Sequence, residues 1–342
     1  MNRRKKLTAA VLSLVLFFAL SACSPAQMPV TDYSKPTIVC TAFPQYDWTL
    51  QVLGERAVEF NVVLLNHQGT DMHSFQPTAA NMVSMANCNL FIHIGGYSEG
   101  WVAAALESAG NENAEVITLL DYVDARAEEF TEGMEHNHDH DHSQAVADNA
   151  DHHGHENEDH ETDSELDEHM WLSLRCAQQA CDVIADAVCQ LDPANADFYR
   201  TNAATYKEEL HHLDHEYEDT VQNASTRVLL FADRFPFRYL TDDYGLEYLA
   251  AFPGCSAETE ASFETILYLS EEMEAHQLTC AVILEGSRDD FARTVVSNTE
   301  VENPRILTLN SMQSVNQRHI DAGVTYLSIM EGNLTVLKEA LK

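Results

Sequence analysis

Eight histidines, His136, His138, His140, His142, His152, His153, His155 and His160, fall between Glu128 and Glu168 of this 342-residue chain. Sixteen Asp or Glu residues are interleaved with them, and no Lys or Arg lies between Arg126 and Arg175. Near pH 7 a solvated imidazole is mostly neutral, with a lone pair free to coordinate, and carboxylates add local negative charge. Such a tract is a ligand reservoir for a borderline divalent cation, Zn²⁺ above all. A solvated acidic linker or an engineered tag is the blander alternative, but a tag is terminal and lacks the alternating acids. The composition predicts a disordered loop that binds metal weakly, so the primary site is sought elsewhere.

Isolated residues at the ends of strand-like runs supply the candidates. In open parallel sheets ligands bind beyond the carboxyl ends of the strands. By that rule the loop after the run at 57–65 offers Asp71 and His73. Asp233 follows Val228-Leu229-Leu230-Phe231-Ala232, Glu285 follows Val282-Ile283-Leu284, and Asn310 follows Ile306-Leu307-Thr308-Leu309. His169, in Asp167-Glu168-His169-Met170-Trp171-Leu172, opens a helical pattern just after the tract. Two imidazoles and one or two carboxylates make a first shell for Zn²⁺ or Mn²⁺. Each residue taken singly reads as a cap or a satisfied polar group; their joint placement carries the argument.

The elements that must position these residues alternate. β-branched runs at 37–42, 57–65, 89–94 and 115–119 are separated by helical patterns at 44–54, 78–86 and 99–109. After the tract, 171–191 is helical, and Asp192-Pro193 predicts the start of a long helix reaching about Val221. A second alternation follows, with strands at 226–232, 246–252, 281–284 and 305–309, and helices at 236–244, 262–277, 288–298 and roughly 319–341. The rhythm predicts an α/β protein of two Rossmann-like lobes, each with a parallel sheet, joined by one long rigid helix, with the site in the cleft between them. The expected organisation is a lobe at 36–191 carrying the tract at 128–166, a linking helix at 192–224 and a second lobe at 225–342.

The ends and the charge narrow the setting. Arg3, Arg4, Lys5 and Lys6 precede a charge-free apolar run, 7–22, that is short for a membrane span and reads as a signal peptide. Leu20-Ser21-Ala22-Cys23 looks like a lipobox, which makes Cys23 the expected lipidation site and 23–35 a tether on the outer face of the membrane. Without the four N-terminal basic residues, 15 Lys and Arg stand against 55 Asp and Glu, a charge of about −40 that excludes nucleic acid as a partner and concentrates cations. Seven further cysteines include no CxxC pair, so a zinc site built from four cysteines has no support. Disulfides are open to a protein outside the membrane, although Cys40 and Cys280, in strand-like runs, read as small buried apolar residues.

Together these segments resemble the metal-specific solute-binding lipoproteins of bacterial ABC transporters, the zinc and manganese receptors, from Cys23 to the C-terminus. Gly69-Thr70-Asp71-Met72-His73-Ser74-Phe75-Gln76-Pro77-Thr78 resembles their first ligand loop, in which the His binds metal. The segment Asp167–Leu172 resembles the second, normally Asp-Pro-His-x-Trp-Leu. Asp233-Arg234-Phe235-Pro236-Phe237-Arg238-Tyr239-Leu240 with Tyr244-Gly245-Leu246 resembles the third, where Asp233 takes the ligand position at a spacing shifted by about one residue. The fourth position, often Asp, falls on Asn310 or Ser311, which leaves Glu285, Glu260, a loop histidine or water to complete the shell. An acidic His-rich loop between the first two ligands is typical of the zinc receptors.

The resemblance implies a monomeric extracytoplasmic receptor, held by its lipid anchor, that passes Zn²⁺ (or, in the manganese receptors, Mn²⁺) to an ABC permease, with His73, His169 and Asp233 as ligands and Glu285 as the candidate fourth. Two readings compete from other classes. One is a secreted zinc hydrolase, for which neither HExxH nor a Ser/His/Asp motif is present. The other is a cell-adhesion or metal-buffering surface protein, in which the tract is the whole function. Of the remaining histidines, His93 lies inside a strand-like run and reads as structural. His211, His212 and His215 read as the solvated face of the long helix.

Overall fold

Short apolar runs form the two sheets because both of their faces are covered. In the computed structural model, which describes residues 34–134, 166–256 and 261–342, β1 (Thr37–Cys40), β2 (Asn61–Leu64), β3 (Leu90–His93) and β4 (Glu115–Thr118) form a parallel sheet of order β2-β1-β3-β4. Val39 pairs with Val63 on one side and Phe91 on the other. β5 (Val228–Phe235), β6 (Glu247–Pro253), β7 (Cys280–Leu284) and β8 (Arg305–Leu309) form a second parallel sheet of order β6-β5-β7-β8. Every residue of β3 and β7 is buried, the expected pattern for a parallel strand with helices on both faces.

Helices α1 (Phe43–Leu53), α2 (Ala79–Ala86) and α3 (Val102–Ala109) cross over within the first lobe. Thr78 starts α2 with a capping box to Asn81. α4 (Leu174–Leu191) begins where the Ser173 hydroxyl accepts the Cys176 N–H at 3.0 Å. α5 (Ala196–Gln222) has 27 residues and so runs about 40 Å. It buries Tyr199, Ala203, Tyr206, Leu210, Leu213 and Tyr217, a spacing of three and four that keeps one stripe inward. Tyr199 packs edge-on against Phe60 of the first lobe. Near the other end of the helix Tyr217 stacks on Tyr244 and donates to the Met330 carbonyl at 2.7 Å in the second. One helix therefore contributes to both lobes. The second lobe is completed by α6 (Arg238–Tyr244), α7 (Phe263–Ala275), α8 (Asp290–Ser297), α9 (Gln317–Asp321) and α10 (Tyr326–Ala340). Residues Pro36–Lys342 form one compact unit.

Several expected boundaries move, each for a local reason. The expected strand at 57–65 shortens to β2, because Gly54, at φ 55°, turns the chain into a 3₁₀ segment at Gly54–Glu59. The long helix starts at Ala196, after a 3₁₀ turn at Pro193–Asn195, since the Asp192 carboxylate is taken by Tyr199 and Asn195 instead of capping. The single C-terminal helix is two, broken at Gly323 (φ 88°) and restarted by the Thr325 capping box. The strand expected to end at Ala232 continues through Phe235 with an irregular register between Phe231 and Arg234.

No disulfide joins the described cysteines; Cys40, Cys88, Cys176, Cys181, Cys189 and Cys280 are buried, and burial pushes the Cys40 thiol up to about 12. The signal peptide, Cys23 and most of its tether, the eight tract histidines and Glu260 lie outside the described residues.

Candidate metal centre

The first imidazole is aimed by a loop that has little freedom. Asn66 clamps Thr70 through both its amide and its carbonyl oxygen. Gly69, at φ 69°, lies so close to the Ser314 carbonyl that a Cβ there would sit 2.4 Å from it. Asp71 then caps a 3₁₀ turn at Met72–Ser74. Its Oδ1 accepts the His73 backbone N–H at 3.0 Å and faces the His73 ring Nδ1 at 2.8 Å. The second imidazole is built the same way: Asp167 Oδ1 accepts the His169 N–H at 2.8 Å and faces its Nδ1 at 2.9 Å, at the entrance of a turn at Met170–Leu172. Tyr239 anchors this second turn by donating to the Asp167 carbonyl at 2.9 Å.

Both constructions leave Nε2 pointing away from the carboxylate. The two rings lie 5.6 Å apart, centroid to centroid, and both Nε2 atoms are buried without a hydrogen bond. His73 Nε2 stands 3.3 Å from Glu168 Oε1 as an ion pair. Glu168 is fully buried. It accepts the Ser98 backbone N–H at 2.9 Å on one oxygen and the Ser98 hydroxyl on the other. Gly96 makes room for it, since a Cβ there would lie 2.7 Å from Glu168 Oε2. Cys255, just past the end of β6, completes the group. One ligand atom from each of His73, Glu168, His169 and Cys255 lies within 4.8 Å of all the others. Gly254 lets the chain pass the His169 ring, where a Cβ would meet Cε1 at 3.2 Å.

Charged groups surround the two imidazoles. Burial would lower the His73 imidazole, but the hydrogen-bonded Asp71 carboxylate and negative Glu168 outweigh it and push it up to about 9. Burial would raise Asp71, yet His73 and Arg234, whose guanidinium pairs with Asp71 Oδ2 at 2.8 Å, hold it well below the usual range. Glu168 is likewise held low against its burial, by His73, His169 and Ser98. Burial, together with Glu128, Glu168 and Asp167, pushes the Cys255 thiol up. Two imidazoles, a carboxylate and a thiol at this spacing are donors for a small divalent cation.

His73 and His169 are thus brought together, whereas Asp233 and Glu285 are not in the group. Asp233 lies inside β5 at its irregular step, where its carboxylate accepts the Leu284 N–H at 2.9 Å and the Arg234 N–H at 2.8 Å, filling in for absent ladder bonds. Glu285 accepts from the Ser311 N–H at 2.7 Å and from the hydroxyls of Ser311 and Ser314. Asn310 is engaged with Asn333. His93 is saturated by Glu99 and Thr118, in keeping with a structural role. Sequence reasoning did not name Glu168 or Cys255, which the structure places in the same group as the two histidines. The signals were a Glu where the second motif normally has Pro, and a Cys two residues beyond the strand that ends at Pro253.

Comparison with known proteins adds an independent line. The family model described as ZnuA, zinc-uptake complex component A periplasmic, matches residues 38–340. The zinc-binding lipoprotein AdcA of Streptococcus pneumoniae is 29% identical over 98% of the chain, which spans 61% of that relative's length. The high-affinity zinc uptake system protein ZnuA of Bacillus subtilis is 26% identical, with 98% of each chain covered. The Zn(II)-bound ZnuA-like domain of S. pneumoniae AdcA superimposes with a TM-score of 0.67 at 25% identity, covering 90% of this chain and 99% of that domain.

Proposed function

Because the chain belongs to the family of zinc-uptake component A proteins, we propose that it is an extracytoplasmic receptor that captures Zn²⁺ and delivers it to an ABC permease. His73 and His169 are its principal ligands and Glu168 a carboxylate ligand. The observation that carries this is the pair of buried Nε2 atoms, that of His169 without a partner and that of His73 facing only Glu168, each ring fixed by an Asp on the opposite nitrogen. An aspartate on Nδ1 fixes ring orientation and tautomer and makes Nε2 a better donor, the arrangement found around metal-bound histidines. The donors come from the carboxyl-end side of strands in both sheets, as a cleft ligand requires: His73 after β2, Cys255 after β6.

The proton that His73 holds beside the Glu168 carboxylate leaves to solvent, and the cation takes its place. Capture therefore consists of ligand exchange: water leaves the ion, and Nε2 of both histidines and the Glu168 carboxylate take its place. Ser98 keeps Glu168 aimed inward throughout. Anchorage through a lipidated Cys23 keeps the receptor beside its permease, and the acidic tract is an auxiliary store of weakly held ions.

Metal analysis and competition titration of the mature protein test this reading. One tight zinc per chain is expected, lost in His73→Ala and in His169→Ala while the circular dichroism spectrum is retained. Undiminished stoichiometric binding in both variants would place the site elsewhere. An unaltered protein that hydrolyses ester or peptide only when zinc-loaded would favour the hydrolase instead.

A further inference from the structure

Cys255 is the one described cysteine that is only partly buried, and its Sγ belongs to the same cluster as the two histidines and Glu168. We infer that Cys255 binds the metal as a thiolate, and that this soft donor sets the site for Zn²⁺ against Mn²⁺. The inference rests on the receptor reading above and adds to it the fourth ligand and the basis of selectivity.

Three observations carry it. The cluster has two buried imidazole Nε2 atoms: that of the fully buried His169 has no hydrogen-bond partner, and that of His73, whose side chain is only 7% exposed, faces Glu168 alone at 3.3 Å. A cation held by them and Glu168 would leave a tetrahedral shell one donor short. The carboxylates expected to supply that donor, Asp233 and Glu285, are occupied by backbone N–H groups and hydroxyls. The Cys255 backbone is itself held in place: its N–H donates to Glu128 Oε1 at 2.9 Å, and Gly254 runs against the His169 ring. Tetrahedral zinc places nitrogen, oxygen and sulfur donors about 3.3–3.8 Å apart, so four atoms already within 4.8 Å need close by only about an ångström.

Binding at Sγ is a proton-for-metal exchange. The S–H bond breaks, the proton passes to solvent, and the sulfur lone pair forms the Zn–S bond. No oxidant or reductant is required. Thiolate favours Zn²⁺, while Mn²⁺, lower in the affinity order and suited to carboxylate, carbonyl and water, gains little from it. The site's two carboxylate-braced histidines and single acid would accept either ion; the sulfur is what separates them.

X-ray absorption at the zinc edge, on the mature protein loaded with one equivalent of zinc, tests the inference. The tract contains no cysteine, so a sulfur neighbour at about 2.3 Å reports the cleft and not the store. The expected result is one sulfur in the unaltered protein, and none in Cys255→Ser with zinc still bound through His73 and His169. The variant's zinc affinity should fall roughly ten- to hundredfold or more, at least the cost of losing an outer-shell partner, with a smaller change for manganese. One bound zinc with only nitrogen and oxygen neighbours in the unaltered protein overturns the thiolate and leaves the receptor standing. An unchanged preference for zinc over manganese in Cys255→Ser overturns the selectivity claim. Failure to bind one zinc at all removes the receptor reading and this inference together.

Discussion

A single carboxylate oxygen of Asp167 accepts the backbone N–H of His169 at 2.8 Å and faces its ring Nδ1 at 2.9 Å. The aspartate thus fixes the turn and the imbalance of the ring in one stroke, so Nε2 is the only free nitrogen. Asp71 repeats the construction on His73. Asp167→Asn and Asp71→Asn should therefore keep the backbone hydrogen bond and lose the charge that holds the ring. Zinc affinity is expected to drop roughly 10- to 100-fold in each, with the stoichiometry unchanged. Competition against a chelator of known affinity measures this. Wild-type affinity in both variants would mean that the aspartates serve the turns alone.

Gly96 gives a steric counterpart. Its φ of 86° is costly for any residue with a Cβ, and that Cβ would lie 2.7 Å from both Glu168 Cβ and Oε2. Gly96→Ala should destabilise the protein by about 1–3 kcal/mol from the backbone strain and weaken zinc binding by displacing Glu168. Thermal unfolding in chelator and zinc titration read the two effects separately. A variant with full stability and affinity would show that the loop relaxes freely.

The alternation of β-branched runs with helical patterns made both parallel sheets legible in the sequence, since buried parallel strands need continuous apolar runs. Both histidines were named from the segments that carry them, and they converge. Glu168 and Cys255, which share their group, were not named, and Asp233 and Glu285 were named instead. Asp233 looked terminal only because Asp-Arg breaks an apolar run, yet β5 continues past it to Phe235 and recruits its carboxylate for the sheet. Cys255 was hidden by the opposite bias: a lone cysteine in a loop has no local signature, and only the folding of β6 against the second turn brings it to His169.

Asp47 supplies a pH dependence away from the site. It is 5% exposed and accepts the Tyr326 N–H at 3.1 Å; burial raises its carboxyl to about 6 from the usual 3.8 despite that hydrogen bond. A folded-state value above the unfolded one means that the protonated acid favours the fold. The stability it contributes is complete below about 3.8 and is lost as pH rises through about 6, an effect of about 2–3 kcal/mol. Asp47→Asn keeps an acceptor for Tyr326 and cannot ionise. The difference in unfolding free energy between the two proteins, measured in chelator, should shift in favour of Asn by about that amount between pH 4 and 7. A constant difference across this window would mean that Asp47 keeps its ordinary acidity in the fold.

Zinc capture should proceed without large lobe closure. α5 is tied to the first lobe through Tyr199 on Phe60 and to the second through Tyr217 on Tyr244 and Met330. A second set of ties runs from Trp171 Nε1 to the Ser311 carbonyl at 2.9 Å, and from the buried Tyr326 hydroxyl to the Trp171 carbonyl at 2.7 Å. Swinging the lobes apart would break these buried hydrogen bonds together, each at about 1–3 kcal/mol if left unsatisfied. Moving the chain around Cys255 breaks few of them, so loading and release should be local to the loops that carry the ligands. Small-angle scattering on apo and zinc-loaded protein lacking residues 134–161 isolates this motion from the tract. The radii of gyration should agree within error, while hydrogen exchange slows around His73, His169 and Cys255 on loading. A radius that contracts measurably on zinc binding would show that the helix bends or that its packing slides, and release would then be a domain motion.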